Sequence, residues 1–313
     1  MARNSKRKSV KNKQKQERSW TWSGVGRRAG AIGAAALVIG ALGGAVLGYA
    51  PLKERVGALR ADPLVVKFEW PPLAGHKRAG DVSPPATWLP EGERWRLEQA
   101  VRATVSPDPF DLESLDRARA TLLATGWFAN ELELQRRPGG VIDVRGVWRT
   151  PAAVVRWEGA DRLVSRDGRL LRLTYPPGEA GSLRIITGTW AGPPPSERGG
   201  LDYGATWLGG DVQAAIKLLE TIRATSAWPH VSGVDVSAYL NRGRLAIITR
   251  DGARLVWGAS PGEAAPGEQP DDVKLARLTT LIDDPAWINA GRPNADLYTP
   301  YVLIDETAVR EQR

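Results

Sequence analysis

Residues 29–50, AGAIGAAALVIGALGGAVLGYA, run for 22 positions without a charged side chain, and this stretch constrains everything on either side of it. As an α-helix it would extend about 33 Å, enough to cross the hydrocarbon core of a bilayer. Arg27 and Arg28 abut its start, Trp20 and Trp22 sit where an interfacial aromatic belt falls, and Tyr49 closes its far end. The alternative is a cleaved signal peptide. Against that, the run exceeds the roughly 7–15 apolar residues of a signal-peptide core, the basic leader is long, and Pro51 follows directly. We therefore expect a retained single-pass anchor embedded in the lipid bilayer. Gly40, Gly44 and Gly48 recur every four residues on one face, a spacing that lets a second helix approach closely. Composition offers a plainer explanation, because 14 of the 22 residues are Gly or Ala.

The net charge of +8 suggests a nucleic-acid partner until it is divided along the chain. Residues 1–28 hold ten Lys/Arg and one acid, Glu17, so the tail alone carries +9. The remaining 285 residues balance 33 basic against 34 acidic side chains. A near-neutral body has no electrostatic footprint for phosphodiesters, so no nucleic acid is expected as a partner. The basic tail does fit the positive-inside rule, which puts residues 1–28 in the cytosol and residues 51–313 outside it. The expected location is the cytoplasmic (inner) membrane, with the C-terminal domains periplasmic or extracytoplasmic.

Little in the sequence points to catalysis. There is no cysteine, hence no disulfide and no thiolate metal site, and the two histidines, His76 and His230, lie in loop-like sequence. H-E-x-x-H, G-x-S-x-G and P-loop patterns are missing. Ser5-Lys6-Arg7-Lys8 matches S-x-x-K only as a string within the basic tail, and Arg198-Gly199-Gly200 is a single RGG copy. Asp271-Asp272 and Asp283-Asp284 fall at helix ends, where capping and dipole effects account for them. The 13 tryptophans are scattered, which suits core and rim positions better than a sugar-binding stack. We expect a non-enzyme with no catalytic residue, no cofactor, no metal and no small-molecule substrate.

Beyond a linker at 51–61, the pattern is α+β and long enough for two domains, 62–150 and 151–307, with a frayed tail at 308–313. In the first, Leu64–Trp70 is a β-prone run and 71–92 a Pro/Gly-rich insertion. A helix is expected over Glu93–Val105. A second is expected to start at an Asp108 cap, to carry Leu112, Leu115, Ala118 and Leu122 inward, and to stop at Gly126. Two alternating runs follow, around Glu131–Gln135 and Ile142–Trp148. The result is a β-α-α-β-β unit with two helices over one face of a short sheet. In the second domain we expect strands at Ala153–Trp157, Arg162–Ser165, Leu170–Leu173 and Leu183–Thr187. A helix from Asp211 then carries Val212, Ala215, Ile216, Leu219 and Ile222 on one stripe. A meander at Val234–Tyr239, Leu245–Thr249 and Arg254–Trp257 precedes a helix capped by Asp271/Asp272 and carrying Leu275, Leu278 and Ile282. A final strand is expected over Thr299–Thr307.

Read in order, these segments resemble the FtsQ/DivIB family of bacterial cell-division proteins. The family's junction between domains is echoed by Arg149-Thr150-Pro151-Ala152-Ala153 before Trp157. Its next signature is similar to Leu163-Val164-Ser165-Arg166-Asp167-Gly168-Arg169-Leu170-Leu171. Leu183–Gly188, Asp251–Gly258, Lys274-Leu275 and Val302-Leu303-Ile304-Asp305 echo the later ones. The chain departs from the pattern at Trp148, at Arg184 where the family has proline, at Glu306-Thr307, and in the long 71–92 insertion. The resemblance implies a basic cytosolic tail, one transmembrane helix, a POTRA-like domain and a mixed, mainly antiparallel β domain with flanking helices. It also implies a septum-formation (divisome) scaffold that binds other single-pass division proteins of the FtsB/FtsL type at the division site. Docking would be by β-augmentation of the last strand, at Tyr301, Val302, Leu303, Ile304 and Asp305. The competing function is a membrane-anchored POTRA-type accessory factor for envelope transport or polysaccharide handling.

The charge asymmetry across residues 29–50 generates a direct test. A reporter that works only outside the cytosol, fused after Arg313, should be active; a stable but inactive fusion would reverse the orientation.

Overall fold

The computed structural model describes residues 64–73, 87–283 and 294–300. These residues form two sheets and five α-helices, and they fall within one compact unit. Residues 29–50, and with them Gly40, Gly44 and Gly48, lie outside the described residues. Among the described residues no helix is long and apolar enough to cross a membrane.

The first module runs β1 (Val65–Phe68), α1 (Glu91–Thr104), α2 (Glu113–Leu123), β2 (Phe128–Arg137) and β3 (Val141–Trp148), the β-α-α-β-β order expected. β3 is central, parallel to β1 and antiparallel to β2. Glu93, Leu97 and Val101 recur every four residues on the buried face of α1, and Ser114, Ala118 and Leu122 do the same on α2. These stripes close over Val66, Leu132, Ile142 and Val144 of the sheet. The expected Asp108 cap is displaced. Asp108 instead accepts the Phe110 N–H at 2.9 Å in a turn, and Asp111 Oδ1 accepts the Ser114 N–H at 3.0 Å at the real start of α2. Leu112, expected to face inward, therefore precedes the helix and is exposed. Gly126 ends the segment as expected at φ +80°, and it is also a point of close approach, since a Cβ there would lie 2.7 Å from the Gly204 nitrogen.

Arg149 and Thr150 lead straight into the second sheet. Its strands are β4 (Pro151–Trp157), β5 (Ala160–Ser165), β6 (Leu170–Tyr175), β7 (Arg184–Thr187), β8 (Val231–Asp235), β9 (Leu245–Thr249), β10 (Arg254–Gly258) and β11 (Asn294–Asp296). They lie in the order β11-β10-β9-β8-β7-β4-β5-β6. The β4–β5–β6 and β8–β9–β10 runs are antiparallel meanders, while β7 is parallel to both β4 and β8, and β11 is parallel to β10. Helices α3 (Asp211–Arg223) and α5 (Asp271–Asp283) cover one face. The five α3 residues expected on its stripe are all buried, and Leu278 and Ile282 of α5 join the same core.

Strands β4 and β5 and the start of β6 are buried on both faces. Ala153, Val155, Val164 and Leu170 point toward α3, whereas Val154, Leu163 and Leu171 pack into the core of the first module. The alternation of side chains across a strand thus divides each of these strands between two cores.

Two departures from the expected strands matter for the large sheet. The strand expected over Val234–Tyr239 is β8, three residues earlier, and Tyr239 begins the short helix α4 (Tyr239–Arg242). Asp235 ends the strand by accepting the Ser237 N–H at 2.9 Å, which turns the chain. Of the expected last strand, Thr299–Thr307, only the first two residues are described. Thr299 and Pro300 form bends, the strand that reaches the sheet is β11 at Asn294–Asp296, and residues 301–307 lie outside the described residues.

Gly233 sits opposite Ile185 where β8 pairs with β7, and a Cβ built on it would stand 2.0 Å from the Ile185 carbonyl oxygen. Since the atoms it would meet are all Ile185 backbone, no side-chain adjustment relieves the clash. Gly233→Ala should cost at least ~2 kcal/mol of stability, read as a lowered urea midpoint. An unchanged midpoint would contradict the close β7–β8 pairing.

Candidate partner interface

The outer edge of the large sheet is built at β11. Ala295 and Leu297 are buried against the α3/α5 side, and the Leu297 N–H donates to the Val256 carbonyl at 2.9 Å. Because successive N–H groups along a strand alternate in direction, those of Ala295 and Leu297 face β10 while the N–H and C=O of Asp296 face away. Among the described residues this is a short edge with no strand beyond it, of the kind that can accept a further strand.

Several groups hold the chain beyond β11. The Gln269 N–H donates to the Tyr298 carbonyl at 2.9 Å. The Arg277 guanidinium, projecting from α5, donates to the carbonyls of Leu297 at 3.1 Å, Thr299, and Pro300 at 2.8 Å. Arg244 lies over the Tyr298 ring, 4.6 Å from its centroid. The path of the chain is therefore specified as far as Pro300, immediately before the run proposed to dock. Tyr301, Val302, Leu303, Ile304 and Asp305 themselves lie outside the described residues.

Charges gather on the face opposite the helices. Asp235 pairs with Arg254 at 2.9 Å. Burial pushes its carboxyl up, but the Ser237 N–H and Arg254 outweigh that, and the net shift is downward. Asp296 has the reverse balance. Burial pushes its carboxyl above the usual carboxylate range, and Arg244 and Arg254 offset only part of the rise.

Several of the short segments singled out in the sequence meet in space, and they meet as structural ties. Arg149 lies 3.3 Å from Asp167 and donates to the carbonyls of Gly126, at 3.1 Å, and Phe128. Thr150 accepts the Arg166 N–H at 3.1 Å. The two motifs flanking the module junction thus form one hydrogen-bonded knot. Burial pushes the Asp167 carboxyl up, while hydrogen bonding to Ser165 and the charge of Arg149 bring it below its ordinary value. At the other end of the sheet, Lys274 is fully buried, 3.0 Å from Glu268, 3.7 Å from Asp271, and 5.2 Å from the Trp257 ring centroid. Glu268 also accepts the Ala259 N–H at 3.1 Å. Gly258 is required there, because a Cβ at its φ of +98° would lie 2.7 Å from Glu268 Oε1.

Trp148, a departure from the family pattern, has a local reason. It packs against Phe128, Phe68 and Trp70 and donates its Nε1 hydrogen to the Glu69 carbonyl at 2.9 Å, which fastens β1 to β3. His230 closes a 3-10 turn at the surface. Among the described residues no group of three or more His, Asp or Glu side chains could hold a metal ion. Arg277, Arg244 and Asp296 carry the geometry of this edge and were not singled out by sequence; nothing in their local pattern distinguishes them from surface charges. No protein-family model matches the chain, and no curated protein matches it in sequence.

Asp296 yields a pH-dependent prediction. A carboxyl whose folded pKa is raised binds its proton more tightly in the folded state, so stability falls as pH rises through the unfolded and then the folded pKa. Asp296→Asn should accordingly raise the melting temperature at neutral pH, and the gain should vanish at pH values below the ordinary carboxylate range. A gain that persists undiminished in acid would assign the effect to something other than this carboxyl.

Proposed function

We propose that this chain is a divergent member of the FtsQ/DivIB family, a non-enzymatic, membrane-anchored division scaffold that binds single-pass proteins of the FtsB/FtsL type outside the cytoplasmic membrane. On this reading residues 62–150 are the POTRA-like domain and residues 151–307 the β domain. One observation carries the proposal. A β-α-α-β-β module with sheet order β1-β3-β2 leads through a two-residue link into a larger mixed sheet, and the C-terminal strand of that sheet lies at its outer edge. The knot of Arg149 with Asp167, and the packing of Lys274 beneath Trp257, give the resembling segments positions that fit a shared architecture. Docking would begin at β11 and continue through Tyr301–Asp305, the partner adding a strand to the open edge.

The accessory-factor reading has one feature in its favour. β1 and β2 are both outer strands of the small sheet and could receive an extended chain. Location separates the two. A fluorescent fusion of the full-length protein should concentrate at mid-cell, and uniform envelope fluorescence would favour the accessory factor.

Two proline variants test the edge. Asp296→Pro removes an outward-facing N–H while leaving the β10 pairing in place, and Leu303→Pro interrupts the run beyond. Each should remain folded, reach the membrane, and recover at least tenfold less FtsB/FtsL-type partner in co-purification. Normal recovery by both folded variants would eliminate this edge as the docking site.

A further inference from the structure

Buried charge among the described residues is answered at nearly every site. Glu93 meets Arg96 at 2.7 Å and the Trp127 indole N–H at 3.2 Å, and Asp161 pairs with both sides of the Arg156 fork at 2.8 and 2.9 Å. Asp211 accepts the N–H groups of Trp190 and Val212 at the start of α3, and Lys274 meets Glu268. Arg184 is the exception. It is the one arginine among the described residues that is buried, at 6% exposure, and no carboxylate there lies within ion-pair distance of it. Its terminal nitrogens donate to the carbonyls of Ser182 and Trp228, both at 2.9 Å, and the guanidinium stacks 4.2 Å from the Trp228 ring centroid. Nε has no partner. The charge that acts on the group is a like one, Arg250, and burial followed by that repulsion holds Arg184 below the usual arginine range.

An uncompensated buried charge is costly, and proteins seldom retain one without something to answer it. Arg184 lines a pocket of about 250 Å³ bounded by the start of β7, the outer end of α3 and the Trp228 turn. Arg223 and Arg250, both exposed, line it too. The pocket's one carboxylate, Glu220, is engaged 3.4 Å away by Arg166, which stands outside it. Leu219 and Trp228 supply an apolar wall. Three guanidinium groups against one committed carboxylate suit a dianion better than a single carboxylate ligand. A phosphate group brings about −1.5 to −2 charge and three acceptor oxygens, which arginine is well shaped to meet.

We propose that this pocket is a receptor for a phosphate group carried on a small organic body, with Arg184, Arg223 and Arg250 as its cationic lining. Soluble phosphomonoesters and lipid headgroups share that chemistry, and the test separates them. Thermal unfolding of the purified full-length protein in neutral detergent is followed with inorganic phosphate, glycerol 3-phosphate, or neutral vesicles containing phosphatidic acid, each against chloride at matched ionic strength. A concentration-dependent rise in melting temperature with either soluble probe identifies a soluble phosphate ligand. A rise with phosphatidic acid alone identifies a lipid headgroup. Both support the site.

Arg184→Met should abolish the rise, read against the variant's own ligand-free melting temperature, since it removes the donors to the Ser182 and Trp228 carbonyls along with the buried charge. Arg223→Gln and Arg250→Gln should each weaken binding about tenfold. Should Arg184→Met fail to fold, the double variant Arg223→Gln/Arg250→Gln carries the test, since both side chains are exposed. The proposal is overturned if no phosphate probe exceeds chloride. It is also overturned if the rise survives in the double variant, or in a folded Arg184→Met.

Discussion

Strands β4, β5 and β6 must satisfy two cores at once, and the rest of the molecule is arranged around that requirement. Each carries adjacent apolar residues, Ala152-Ala153-Val154-Val155, Leu163-Val164 and Leu170-Leu171, the pattern of strand positions buried on both faces. Odd and even positions go to opposite cores, so neither module could withdraw without exposing a row of branched side chains to water. The coupling reaches the polar groups as well. The Tyr175 hydroxyl, at the end of β6, is pushed up by burial and then by the charge of Glu93 on α1.

How much of this was legible in the sequence depended on the period of each segment. The helices read clearly where an i, i+4 stripe was unbroken, as from Val212 to Ile222, and their ends read clearly where a glycine such as Gly126 had to take positive φ. Caps were harder. Asp108-Pro109 reads as the start of α2, but the helix begins after Asp111, and Leu112 is left exposed ahead of it. The β8 boundary was missed because Gly233 looks like a strand breaker in isolation. It is in fact the residue that lets β8 lie against β7. The order of the eight strands was not legible at all, because β7 enters between β4 and β8 through contacts that no local pattern records.

The candidate sites show the same division. Lys274 and the Asp251–Gly258 segment were visible as motif residues, yet their role emerges only when Lys274, Glu268 and Trp257 are seen to close on one another. Arg184 stood out in the sequence merely as a departure from proline. Proline there would have ended the demand for a counter-charge, whereas arginine carries a guanidinium into a place where backbone carbonyls meet its two terminal nitrogens but nothing answers its charge. That distinction between hydrogen-bond satisfaction and charge compensation is invisible to pattern reading.

The β11 edge raises a last question: why an edge held so firmly should remain open. A sheet edge invites indiscriminate pairing, and natural sheets blunt it with short strands, charge or proline. β11 has all three nearby. It is three residues long, it carries Asp296 among Arg244 and Arg254, and Pro300 follows four residues on. Arg277 counters this by fixing three points of the chain, at Leu297, Thr299 and Pro300, so the backbone follows a defined path as far as Pro300. A partner strand would then meet a preorganised start and pay little ordering entropy there, while its own charges would decide whether the Asp296 carboxyl is relieved or further confined. Selectivity at such an edge comes from the cost of the wrong charge as much as from the ladder of hydrogen bonds, which any extended chain could supply.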